Sequence, residues 1–132
     1  MPHARPLPLL ALTLATGALA CSSSDKCIPL PVEIPVVYQP AIVLGVADSV
    51  TGAPLADSAN GTVSSAAVSD SLRHGWYQPD SILVSLVGAG WYTVTVQRPG
   101  YLTWVRNDVI VKTNACGATI STDLTARLQR AP

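Results

Sequence analysis

Residues 41–63 constrain the fold more than any other stretch, because they read as strand, turn, short bridge, second turn and strand. Ile42, Leu44 and Val46 recur with a period of two, which places them on one face of a pleated ribbon while Val43, Gly45 and Ala47 take the other. Asp48-Ser49-Val50-Thr51-Gly52 then stops the strand. Asp and Ser bond their own backbone, Gly52 accepts positive φ, and Pro54 fixes φ where no ladder donor is needed. Asn60-Gly61 reads as a second turn dipeptide.

Further strands are expected at 62–69, 81–87, 91–97, 109–112 and 118–129, with no apolar period of 3.6 long enough for a helix. In the last of these, Ala118, Ile120, Thr122, Leu124, Ala126 and Leu128 share one face and polar residues take the other. One wet face belongs to an antiparallel sheet. Val63 and Val68 have opposite parity, so either a bulge intervenes or one valine faces solvent. Residues 71–80 read as the longest irregular connection and the first place to look for a ligand. The sum is an all-β domain over 41–129, an antiparallel sandwich of about seven strands with immunoglobulin-like layering.

The first twenty residues are of a different kind. Arg5 precedes an apolar run from Leu7 to Ala20 that is too short to span a bilayer as a finished helix, the pattern of a signal peptide over 1–20. Ala18-Leu19-Ala20-Cys21 resembles the lipobox of bacterial lipoproteins, although the usual leucine three residues before the cysteine is Ala18. The resemblance implies cleavage before Cys21, acylation of its sulfur by palmitate-like chains, and stable membrane attachment through more than one chain. Ordinary cleavage that leaves Cys21 a free thiol is the alternative. Ser22 rather than Asp follows the cysteine, which for a lipoprotein favours the outer over the inner membrane of a cell envelope.

Residues 21–40 form the lipidated start and a tether, polar at Ser22 to Lys26 and then extended by Pro29, Pro31, Pro35 and Pro40. Val32, Ile34, Val36, Val37 and Tyr38 are apolar enough to lie along the sandwich as an irregular edge strand. Three cysteines leave an odd one; with Cys21 given to the anchor, Cys27 and Cys116 remain as a pair for an oxidising compartment. Such a bridge leaves only Ser22 to Lys26 between lipid and domain, a reach of roughly 15 Å.

Loss of the signal peptide takes Arg5 and leaves eight acids against seven scattered bases, with no basic stripe for nucleic acid. His74 is then the only histidine, and no Gly-x-Ser-x-Gly elbow, HExxH or paired CxxC accompanies it, so neither an enzyme nor a zinc site is read. Asp48, Asp57, Asp70 and Asp80 sit at strand ends without calcium-loop order, as turn aspartates do. No metal or cofactor is expected. Tyr92 points inward with Val94 and Val96, which sends Trp91 outward; these rings either cover the sandwich ends, the preferred reading, or Trp91 near Trp76 and Tyr77 makes a stacking platform for sugar or peptide.

Thr51-Gly52-Ala53-Pro54-Leu55, with Ala59 and Val63, then Gly90-Trp91-Tyr92-Thr93-Val94-Thr95-Val96 and Pro99-Gly100-Tyr101, resembles the carboxypeptidase regulatory-like domain. That likeness covers residues 41 to about 128. It departs from the family pattern at Gly88-Ala89-Gly90, where a small turn and an aspartate are usual, and in the longer insertion at 71–80. It implies a transthyretin-like sandwich that is generally non-catalytic and accessory; with the lipobox, the expected partners of a monomeric chain are the membrane through its lipid and a protein or glycan of the envelope.

Overall fold

The computed structural model describes Cys27 and residues 39–132. The expected signal peptide, Cys21 and the edge strand expected around Val32 to Tyr38 lie outside the described residues. Among the described residues nine strands form two sheets: β1 (Ile42–Asp48), β2 (Asn60–Ser64), β3 (Ser69–Ser71), β4 (Arg73–His74), β5 (Ile82–Ser85), β6 (Gly90–Gln97), β7 (Trp104–Thr113), β8 (Thr119–Ile120) and β9 (Thr122–Leu128), with one 3-10 turn at Ala56–Ser58. A four-stranded sheet runs β4-β5-β1-β9 and a five-stranded sheet β3-β2-β6-β7-β8. The fold is therefore the expected all-β sandwich. Among the described residues no helix is long and apolar enough to cross a membrane.

The core is made by the alternation read from the sequence. Ile42, Leu44 and Val46 of β1 meet Val63, Val94 and Val96 across the sandwich, all fully or almost fully buried, with Leu83 and Leu128 beside them. Tyr92 is buried and Trp91 exposed, as the parity of β6 requires.

Several local expectations are corrected. Residues 62–69 are a hairpin rather than one strand: Ser65 Oγ accepts the amides of Ala67 and Val68 at 3.3 and 3.1 Å, closing a turn that leaves Val68 in solvent. Asn60-Gly61 is no turn but the start of β2, paired with Gln97 and Val96. Gly61 is small for a different reason, since a Cβ there would lie 2.7 Å from the Thr95 carbonyl oxygen and against the Leu72 side chain. The connection 71–80 is shorter than expected, because β3 passes through Leu72 directly into β4 and so carries the chain from one sheet to the other.

The fourth correction concerns 118–129, which breaks at Ser121. There the hydroxyl donates to the Pro40 carbonyl, β8 ends on the five-stranded sheet and β9 begins on the other. The switch explains why Ile120 is exposed although its parity matches Leu124 and Leu128. It also sets β9 parallel to β1, Ile42 opposite Thr122 and Asp48 opposite Leu128, so one wet face did not imply an antiparallel neighbour. β7 starts earlier than its apolar pattern suggests. The pairs Tyr92–Val109 and Val94–Arg106 leave one extra residue on β7, and Asp108 takes φ 57° in the resulting bulge.

Candidate functional site

Strand directions give the sandwich two distinct ends. β1 leaves Ile42, beside Ser85, and arrives at Asp48; β5 runs the opposite way, and after the four-residue link 86–89 the chain enters β6 at Gly90. The near end therefore holds the start of β1, the 86–89 link, Trp91 and the end of β7. Cys116 is in the turn after β7, and its disulfide to Cys27 has Cα atoms 5.5 Å apart, so the incoming chain is pinned at this end. The far end holds the turn after β1, the connection 75–81, the 3-10 turn and the crossing from β6 to β7.

Asp48 organises the far end. Its Oδ1 accepts the Val50 and Thr51 amides at 2.9 Å each, and its Oδ2 accepts from Tyr101 Oη at 3.0 Å and Arg130 Nε at 3.2 Å. Gly52, at φ 71°, completes the turn. The amides of Thr51 and Val50, with smaller help from Tyr101 and Arg130, outweigh desolvation and hold the Asp48 carboxyl well below the usual carboxylate range. One buried carboxylate thus ties the β1 turn to Tyr101 and to the last residues of the chain, where Tyr101 also bridges Arg130 backbone to backbone. Sequence reading took Asp48 as a turn residue and missed Tyr101 and Arg130, which lie 53 and 82 positions away.

Beside this network the outer face of the five-stranded sheet is hollowed. Asn60, Gly61, Thr62, Ser71, Leu72, Thr95 and Gln97 border a cavity of about 320 Å³. A second of about 290 Å³, which shares Asn60 and Gln97, continues past Arg98, Pro99 and Tyr101. Arg98 Nη2 stands 3.5 Å from Asp57 and the guanidinium lies 5.4 Å over the Tyr101 ring.

The three aromatics read as a platform are not brought together. Trp76 and Tyr77, 82% and 96% exposed, precede β5 at the far end, whereas Trp91 follows β5 at the near end, on the opposite sheet. Val50, 88% exposed on the β1 turn, shares the far end with the Trp76–Tyr77 pair. His74 Nε2 donates to the Ala56 carbonyl at 2.9 Å, which makes the ring a brace between β4 and the 3-10 turn. The four strand-end aspartates are dispersed: Asp48 is saturated as above, Asp57 faces Arg98, Asp70 accepts from the buried Ser85 hydroxyl at 2.8 Å, and Asp80 offers its carbonyl to Ala56. Among the described residues no three His, Cys, Asp or Glu side chains lie together.

No family model matches the chain, and no curated protein matches it. Among solved structures, a chain from a type II cohesin–X-dockerin complex of Acetivibrio cellulolyticus, a C-terminal interface mutant, is similar with a TM-score of 0.40 and 21% identity over 67% of this chain and 55% of that chain. The present chain thus spans about half the length of the chain it matches. A likeness at this level says nothing of function.

Proposed function

We propose that the chain is a lipid-anchored, non-catalytic interaction module of a bacterial cell envelope, tethered through Cys21 at its near end and free to meet a partner with its far end. The observation that carries this reading is the two-ended layout. The incoming chain is pinned at one end by the Cys27–Cys116 bridge, while Val50, Trp76, Tyr77 and the two adjoining cavities are all at the other. Exposed aromatic and aliphatic tips on turns add nothing to the core, and their exposure suits docking. With a leash of about 15 Å from lipid to bridge, the sandwich rides close to the headgroups and shows its far end outward. The resemblance to the carboxypeptidase regulatory-like domain supports the same role, since that family is generally accessory, and Ser22 favours the outer membrane.

Fractionation tests the anchor. The full chain expressed in a bacterium with a lipoprotein pathway is expected in the membrane pellet, with acyl mass on its mature N-terminus, and Cys21→Ser is expected to shift it to the soluble fraction. A mature N-terminus without acyl mass, or a pellet fraction unchanged by the substitution, contradicts the anchor.

A further inference from the structure

We infer that the paired cavities around Asn60 and Gln97 form one cleft that binds a neutral saccharide. The two hollows share Asn60 and Gln97, which face each other across β2 and β6, and together they are large enough for a small ligand of more than one ring. The next outward pair, Thr62 and Thr95, and Ser71 beside Thr62 on β3, extend the same polar strip. Carboxamides and hydroxyls each offer both a donor and an acceptor, which suits a ligand whose hydroxyls do the same.

Charge narrows the class. No acid or lysine borders either cavity, and the one cation, Arg98, already faces Asp57 and covers the Tyr101 ring. An anion would compete with Asp57 for it.

Sheet position argues against a peptide. β2 is paired on both sides by β3 and β6, and β6 by β2 and β7, so the sheet edge that borders the cleft is β3, whose three residues are too few to seat a peptide strand. A peptide that adds as a strand needs a free edge. Recognition here falls to side chains alone, and none of the three aromatics expected as a platform borders the cleft.

The assignment deepens the interaction-module reading and depends on it only for the setting in which the cleft is displayed. Calorimetric titration of the purified protein, in a detergent without sugar headgroups, would use neutral hexasaccharides of glucose in both linkages, xylose, mannose and N-acetylglucosamine. A hexagalacturonate and an extended uncharged hexapeptide serve as comparisons. At least one neutral hexasaccharide is expected to bind, with affinity reduced about tenfold or more in Asn60→Ala/Gln97→Ala and unchanged in Trp76→Ala/Tyr77→Ala. Both variants alter exposed side chains, and an unchanged melting temperature confirms that they fold. No binding up to about 10 mM, binding indifferent to the amide pair, or preference for the acidic sugar or the peptide overturns the assignment. Any of these from a protein that still pellets through Cys21 sinks the cleft and leaves the anchored module standing.

Discussion

Asp48→Ala is expected to lower the melting temperature by on the order of 10 °C at neutral pH. The substitution strands two turn amides and the Tyr101 hydroxyl and takes from Arg130 its ion-pair partner, at a position where Asp48 is 1% exposed. Asp48→Asn keeps an oxygen for the turn amides and loses the charge, so its effect should be smaller. The pH dependence has a definite sign. The folded carboxyl titrates below its unfolded value of about 3.9, so its contribution is fully present above that value and is lost as the pH falls toward the folded one. Melting curves from pH 6 to pH 2 should show the gap between wild type and Asp48→Ala holding steady to about pH 4 and closing below it. A gap independent of pH contradicts the charged network.

Breaking the disulfide should cost still more. Cys27 and Cys116 are 89 positions apart, and closing so long a loop in the unfolded chain is worth as much as about 4 to 5 kcal/mol by chain entropy. Cys27→Ser/Cys116→Ser is therefore expected to shift the urea midpoint downward by a large fraction of the marginal stability of a small domain. Reduction of the wild type should reproduce the shift. Each single-serine variant should match the double, because one thiol without its mate closes no loop. An unchanged midpoint on reduction would show that the bridge contributes no stability.

Local alternation carried most of the fold. β1 and β6 declare their inward faces through Ile42, Leu44, Val46 and Tyr92, Val94, Val96, and burial follows that parity. The failures occur where a side chain redirects the backbone. Ser65 closes an unforeseen hairpin, Ser121 bonds Pro40 and sends β9 to the other sheet, and the Asp108 bulge disguises the first half of β7. Gly61 shows how one residue type serves two purposes: beside Asn60 it looks like a turn, yet it is small because the Thr95 carbonyl and Leu72 crowd it.

The candidate site was less legible for a physical reason. Asn60 opposite Gln97, and Asp48 with Tyr101 and Arg130, are pairings of register and topology that short-range patterns do not encode. The expected cluster of Trp76, Tyr77 and Trp91 failed on the same ground. Strand parity gave the exposure of Trp91, while Trp76 and Tyr77 prove exposed without any such signal, and β5 separates these two from Trp91.

The opposition of the two ends is tested most directly by tryptophan quenching on vesicles that carry the lipidated protein and a headgroup spin-labelled phospholipid. Single-tryptophan chains are made by Trp76→Phe/Trp104→Phe, which keeps Trp91, and by Trp91→Phe/Trp104→Phe, which keeps Trp76. Trp91, at the pinned end, should be quenched strongly and Trp76 little, because the strands between them hold the two ends apart. Equal quenching, or stronger quenching of Trp76, would contradict a module that stands on its Cys27 end and faces outward with the other.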